Sequence, residues 1–440
     1  ESPTRTTSTA PRLPPAKVNY APPWVTLGRR PLYPLQPVVY FARSRPFMAG
    51  FQARCYNRGS NFEGASETMD GEQRQALDFL ARLAAQPAVA FHEGGVASAM
   101  GSMLEELGLG FQEDAYGNII ARVPGRQPDR TPLALVAHMD HPGFEAVATH
   151  EGYLVCEALG GIPPASFEAG VPLLVVLAGG QRLQAVTAGR HGEEEQRQTL
   201  ARLAEPRQLQ HLNLPRPAVF DLPDFQVDGE LLRMRAADDL AGCGAILAAL
   251  ARLSGNPPPG DVFGVFTRAE EVGLIGARLL AESGTLPQET LIVSVESSRT
   301  LPGAEIGGGP VIRVGDAGLT FNAGAEAALH RALETLRGRP EGFKAQRQLM
   351  SGGVCEASAF ALNGYRATGL AFPLGNYHNG APEGRIEAEY IHIADYAAGA
   401  RLMVEAAHRV PEREDTAFQR RLRQVPDGYR TRLMATRFGH

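Results

Sequence analysis

Cysteine is scarce in this chain. Cys55, Cys156, Cys243 and Cys355 lie far apart and form no Cys-x-x-Cys pair, which argues against a disulfide framework and against a thiolate zinc site. A reducing, cytoplasmic setting is therefore expected. Long apolar runs are missing too: the longest, Val171 to Ala178, has the length of a strand, well short of the roughly 18 residues of a membrane span. A soluble protein without a membrane partner is expected. Nor is there an excess of positive charge. The formal net charge is −5, so no field exists to gather nucleic acid or an anionic membrane, and neither is expected as a partner. Catalysis on small or neutral substrates stays open.

What is present is an ordinary globular composition. With 440 residues, 44% hydrophobic and 21% charged, the chain is long enough for two domains, or for one large domain carrying an insertion. Residues 1 to 68 differ from the rest. They hold 10 of the 33 prolines and the only tryptophan, Trp24, with nine Lys/Arg against three Asp/Glu, a net of +6 that leaves −11 for the remainder. Such a stretch buries no periodic apolar face and reads as an extended, poorly ordered extension, or as sequence upstream of a start at Met69.

From Gly71 the pattern is regular. Ala76, Leu77, Phe79, Leu80 and Leu83 mark an amphipathic helix, a second helix is expected over Val96 to Leu107, and Asn118 to Val123 and Pro132 to Ala137 read as strands. Between about 145 and 232 the helix and strand alternation stops. Short strand-like runs, Tyr153 to Cys156, Leu173 to Leu177 and Leu183 to Ala188, are separated by Gly/Pro turns, which predicts a small β-barrel inserted into the main sheet. Alternation resumes after Arg235 with a helix over 240–253, a strand Val262 to Thr267, a helix over 274–283 and strands Leu291 to Val295 and Val311 to Val314. Helices over 323–336 and 356–362, a strand Ala367 to Phe372 and a helix over 388–407 complete it.

The fold class is therefore α/β: a three-layer sandwich whose mixed, mostly parallel sheet is covered by helices on both faces, plus the inserted barrel. Residues 69–144 and 233–410 would form the main domain, 145–232 the barrel, and 411–440 a charged tail.

Ionisable residues recur where apolar strands end, the place where α/β sheets gather ligands. His138-Met-Asp140 closes one strand; residues two apart project to one side, so the imidazole can reach a metal while Asp140 bonds its other nitrogen or a neighbouring ligand. Asp238 and Asp239 sit at the positive N-terminal end of an apolar helix, where an ordinary helix cap is the plainer reading. Glu270-Glu271-Val-Gly273 comes after another strand. The two glycines of the next six residues imply close packing, so one Glu can bind metal while its neighbour acts as a base. Glu296 ends Leu291-Ile-Val-Ser-Val295, and His378 lies beyond the last strand. Two His and three carboxylates suffice for two borderline divalent cations sharing one bridging acid. A Gly-rich run, Gly307-Gly-Gly-Pro-Val-Ile-Arg-Val-Gly315, resembles a phosphate-cradling loop but lacks the Lys-Ser/Thr and GxGxxG spacings.

The ordered set His138-x-Asp140, Asp238-Asp239, Glu270-Glu271-Val-Gly-Leu, Glu296 and His378 resembles the dinuclear metallo-aminopeptidases of the glutamyl/leucyl, tetrahedral type, within the clan of zinc exopeptidases and deacylases. The resemblance runs from about 72 to 408 and includes Leu159-Gly-Gly-Ile162 and Gly352-Gly353. It implies that His138 and Glu271 bind different ions, that Asp238 bridges them across a cis Asp238–Asp239 bond, and that Glu296 and His378 complete the two shells. It makes Glu270 the general base and Asp140 the residue orienting His138. It further implies two divalent ions per chain, zinc or cobalt, a peptide substrate cut at its N-terminus, and a homo-oligomer, from dimer to dodecamer. Three departures stand out: Glu296 where Asp is usual, His141 where Glu usually comes after His-x-Asp, and Gly352-Gly-Val-Cys-Glu356 in place of Gly-Gly-Thr-Asp. Glu296 suits the carboxypeptidase and N-acyl deacylase relatives, which remain the alternative, as does a non-catalytic metal-retaining peptide binder.

Overall fold

The computed structural model describes residues 70–127, 129–410 and 415–436; the extension read over 1–68 lies outside them. At the centre is Leu133–His138, buried over its whole length. Its side chains divide by the period of two that a strand imposes. Leu133, Leu135 and Ala137 enter one core, with the helices Gly71–Ala84 and Ala237–Gly255, while Ala134 and Val136 enter another, with Ile275–Ser283 and Glu356–Leu362. A strand packed on both faces has no place for alternating polar residues, which is why it reads as a continuous apolar run.

The sheet has eight strands, in the order Phe111–Glu113, Ile119–Val123, Val262–Thr267, Leu133–His138, Leu291–Arg299, Arg366–Leu374, Val311–Arg313 and Gln346–Gln348. The four central strands from Val262–Thr267 to Arg366–Leu374 run parallel. Their register aligns the strand ends. Thr267 lies opposite His138, and Ser294 lies opposite Val136, so Glu296 and His138, each two residues on, reach the same level of the carboxyl edge. The first and last strands, both three residues long, are absent from the sequence-based expectation; they are polar and exposed or only partly buried, so no apolar alternation marks them.

Between this central strand and the long helix the chain builds a closed six-stranded barrel. Its circular order is Gly143–His150, Tyr153–Leu159, Gln198–Leu203, Arg182–His191, Ala169–Val176 and Arg216–Phe220, and Phe144 to Ala146 close it against Arg216 to Ala218. Phe144 fills its centre, meeting Phe167 and Phe220 edge-on at 5.8 and 6.0 Å.

Two local readings change. The helix expected over 388–407 begins as a strand, Glu389–His392, paired with Leu231–Met234; the helix proper is Ile393–Arg409, capped by the His392 ring, which accepts from the Ala394 N–H at 3.1 Å. The apolar spacing is continuous across that junction, so only the pairing partner, far away in sequence, distinguishes the two. The helix at Ala237–Gly255 buries Leu240, Ile246, Leu247 and Leu250 completely, but Asp238 and Asp239 have non-helical backbone angles and are joined by a cis peptide. Of the charged stretch 411–440, residues 415–436 are described and carry two short helices, Ala417–Arg423 and Asp427–Ala435. No helix among the described residues is long and apolar enough to cross a membrane.

Candidate metal centre

The carboxyl edge of the central strands brings the expected donors together. His138 Nε2 stands 3.5 Å from Asp238 Oδ1, 3.9 Å from Glu270 Oε2 and 4.0 Å from Glu296 Oε2. His378 Nε2 stands 3.8 Å from Asp238 Oδ2 and 3.6 Å from Glu271 Oε2. Two groups result, His138 with Glu270 and Glu296, and Asp238 with Glu271 and His378; within each group the donor atoms lie no more than 4.8 Å apart. Asp238 belongs to both in effect, turning one oxygen to each histidine.

Each donor is held by bonds from behind. The His138 Nδ1–H donates to the Asp140 carbonyl at 2.9 Å, which turns Nε2 toward the acids. The Asp140 carboxylate acts elsewhere: it accepts the N–H groups of Glu270 and Glu271 at 3.0 and 3.1 Å, and its own oxygen is 3.6 Å from the imidazole. Asp140 therefore orients the paired glutamates with its side chain and His138 with its main chain. Ala269, which precedes them, takes a left-handed conformation with φ 53°, and its N–H donates to buried Glu93 at 2.9 Å. His378 Nδ1–H donates to the Gly161 carbonyl, and its ring stacks on Tyr377 with centroids 3.7 Å apart. The glycines of Leu159-Gly-Gly-Ile162 are needed here. A Cβ on Gly160 would come to 3.1 Å from Glu271 Cβ and one on Gly161 to 3.1 Å from His378 Nδ1, and Gly160 has φ 82°.

Burial makes this cluster electrostatically expensive. It pushes Glu270 up to about 8, and the neighbouring carboxylates Glu356, Asp140 and Asp238 add to that while His138 opposes it. Glu271 and Glu296 are held well above the usual carboxylate range, again by burial first and then by neighbouring acids. Burial works against a charged His138, but Glu270, Asp140 and Asp238 outweigh it and raise the imidazole well above its ordinary value; burial lowers His378. Asp238 Oδ1 and Asp239 Oδ2 are buried without a hydrogen-bond partner. So dense a set of acids is stable only if protonated or matched by positive charge. Divalent cations fit. The donors are imidazole nitrogens and carboxylate oxygens, 3.5 to 4.0 Å apart, a spacing that two coordinate bonds of about 2.1 Å each can span.

Beside the donors opens a cleft of about 800 Å³, whose lining includes His138, Asp238, Glu270, Glu271, Glu296 and His378 together with Ser298, Leu301, Arg313 and Met350. Arg313 is only 3% exposed, and its Nε–H has no hydrogen-bond partner.

Several contributors escape sequence reasoning. Glu389 accepts from the N–H of both Asp238 and His378, Glu356 accepts from Thr267 Oγ1 at 2.9 Å and Ser294 Oγ at 3.0 Å, and Glu93 holds Ala269. Arg313 interrupts an apolar strand, Val311-Ile312, which is the available signal. His141 lies outside the cluster: its Nε2 accepts from the Ala88 N–H, its Nδ1–H donates to the Pro142 carbonyl, and burial lowers it to about 3, so it stays neutral and structural. The glycine loop at 307–309 cradles a side chain of the same protein. Asp395 accepts the N–H groups of Gly307 and Gly309 at 2.7 and 2.8 Å, so these donors are already used.

Comparison with known proteins bears on what such a centre belongs to. The family model described as M42 glutamyl aminopeptidase matches residues 211–402, a span that holds Asp238, Glu270, Glu271, Glu296 and His378. The chain is similar to the M42 peptidases over that span, which is 192 of its 440 residues. A putative aminopeptidase of Acetivibrio thermocellus is 26% identical over 266 residues, 56% of this chain and 75% of that one. The TET1 peptidase of Pyrococcus horikoshii, which assembles into a tetrahedron or a large octahedral shell, is similar in structure with a TM-score of 0.63 at 23% identity, covering 76% of this chain and 99% of that one. An aminopeptidase of Desulfurococcus kamchatkensis gives 0.64 at 21% identity, over 77% and 95% of the two chains. At these identities the structural likeness speaks for the fold.

Proposed function

We propose that this chain is a dinuclear metal-dependent aminopeptidase of the M42 type that removes N-terminal residues from peptides. The observation that carries the reading is the pair of donor groups joined through Asp238, whose buried Oδ1 has no other partner. His138 and Glu296 would hold one cation, Glu271 and His378 the other, and Asp238 both. Bound there, two divalent ions such as zinc or cobalt would polarise the scissile carbonyl and acidify a water molecule.

The chain's own groups supply the rest. Glu270 lines the cleft, and its backbone N–H is held by Asp140, so its carboxylate is fixed facing the substrate space. It accepts a proton from the attacking water at a carboxylate oxygen and delivers it to the departing amine. His138 and His378 present Nε2 because the Asp140 and Gly161 carbonyls take the opposite N–H. The low exposure of the cluster keeps bulk water from competing. Arg313 contributes positive charge to the lining of the cleft, which suits an acidic side chain on the residue released. Homo-oligomeric assembly, as in the TET1 peptidase, belongs to the same reading.

The test is a substrate panel with zinc or cobalt supplied: glutamyl, aspartyl, leucyl and lysyl anilides with free amines, beside the same compounds N-acetylated. Turnover of free-amine substrates, fastest for the acidic ones, is expected. Turnover confined to acylated compounds would replace the reading with a deacylase, and no turnover with both cations bound would leave a peptide-binding homologue.

A further inference from the structure

The two donor groups differ in what holds them, and one buried carboxylate accounts for much of the difference. Glu389 is 1% exposed and begins the strand Glu389–His392. That strand lies between two segments. On one side it pairs with Leu231–Met234, with Met234 opposite Glu389, four residues before Asp238. On the other side Tyr390 bridges Gly375, three residues before His378. Glu389 thus stands where both donor-bearing segments leave their pairing, and its carboxylate spans the gap: one oxygen accepts the Asp238 N–H at 3.0 Å, the other the His378 N–H at 2.8 Å. Asp238 and His378 are donors of the same group. His138 and Glu296 need no such link, since adjacent parallel strands fix them.

We propose that Glu389 is a positioning residue that sets the separation of Asp238 from His378, and with it chiefly the affinity of the cation position those two share with Glu271; the His138–Glu296 position shares only Asp238 with it and is otherwise held by the sheet. The inference rests on the dinuclear reading of the centre. A neutral amide in its place keeps the length and shape but offers one acceptor oxygen and turns an N–H toward the other donor, so one of the two backbone N–H groups loses its partner. Residues behind a metal site typically change affinity by about 10- to 100-fold when altered.

The experiment strips the full chain with chelator and titrates it with Co²⁺, monitoring visible absorption and bound metal by mass spectrometry. Wild type is compared with Glu389→Gln, with Glu389→Asp, which is one methylene shorter and reaches one N–H at most, and with Asp395→Asn. Asp395 is a matched control: a buried carboxylate that likewise holds two backbone N–H groups, but at the glycine loop 307–309 rather than at a donor. The expected result is two ions on wild type, one tight and one weakened about tenfold or more on both Glu389 variants, and two tight ions on Asp395→Asn. The metal-free unfolding temperature should fall no further for Glu389→Gln than for the control. Wild-type affinity at both positions in the Glu389 variants overturns the proposal, as does parallel weakening of both positions or an equal loss in Asp395→Asn. A wild-type chain that takes up fewer than two ions overturns the dinuclear reading itself, and this inference with it, a result distinct from a variant that matches a two-ion wild type.

Discussion

The two donor groups sit side by side yet are made in different ways. His138 ends its strand and Glu296 lies in the neighbouring parallel strand, so the sheet's register brings these two level, while Glu270 sits three residues past Val262–Thr267 and is tied by Asp140. Asp238, Glu271 and His378 come from a helix start, a turn and a loop, and are held by contacts across the fold: Glu389 for two of them, Asp140 for Glu271, and Gly161, just past the barrel strand Tyr153–Leu159, for His378. A strand end is rigid because its backbone is already paired on both sides. A loop donor is only as rigid as the few bonds that tie it down, so the second group should be the one that perturbation loosens first.

That contrast can be broken or sharpened by experiment. The largest effect is expected from Glu270→Gln. Removing the base while keeping its backbone tether should lower kcat by about 10²- to 10⁴-fold, with two cations still bound per chain. Loss of metal on that substitution would make Glu270 a required donor of the first group and erase the distinction between base and ligand. Asp238→Asn comes next: one carboxylate faces both histidines, so metal content should fall at both positions, and full occupancy by elemental analysis would contradict the bridge.

A smaller and more selective effect is expected from Gly161→Ala. Its Cβ would lie 3.1 Å from His378 Nδ1, a contact that a slight ring shift relieves. Cobalt titration should then show the second ion weakened several-fold and the first unchanged; equal weakening would mean the groups are not independently supported. The smallest effect is expected at Glu326, which belongs to neither group. Burial works against ionised Glu326, but the hydrogen bonds from His330 and Arg347 prevail and lower it to about 2. A depressed carboxylate contributes stability above its unfolded value near 4.5 and loses it as pH falls toward 2. Arg347→Met should therefore reduce the unfolding temperature slightly at neutral pH, with the difference from wild type shrinking between pH 4.5 and 2 and metal affinity at neutral pH untouched.

The first group is legible from the amino-acid order because its signal is local. A polar residue in or just past a doubly buried strand is conspicuous in one dimension: His138 ends its strand, Glu296 lies within one, and Glu270, with Glu271 of the second group, comes three or four residues after Thr267. The pairing of Asp140 is legible only in part: spacing puts it beside His138, but does not reveal its two bonds to Glu270 and Glu271, which lie 130 and 131 residues on. Glu389 gives no signal at all. In Ile-Glu-Ala-Glu-Tyr-Ile it looks like the polar side of an amphipathic helix, which is why a helix is expected there. The self-occupied glycine loop escapes because Asp395 lies 86 to 88 residues further on, and the short edge strands escape because they are exposed or only partly buried.

Sequence alone determined the α/β architecture, the inserted barrel and which acids and imidazoles stand in or near strand ends, because those are properties of consecutive residues. Only the tertiary structure decided which donors share a group, what Asp140 and Glu389 hold, and that Arg313 is turned into the cleft. Those are distances between segments from about ten to more than a hundred residues apart, and no stretch of chain encodes such a distance until strand pairing and close packing have fixed it.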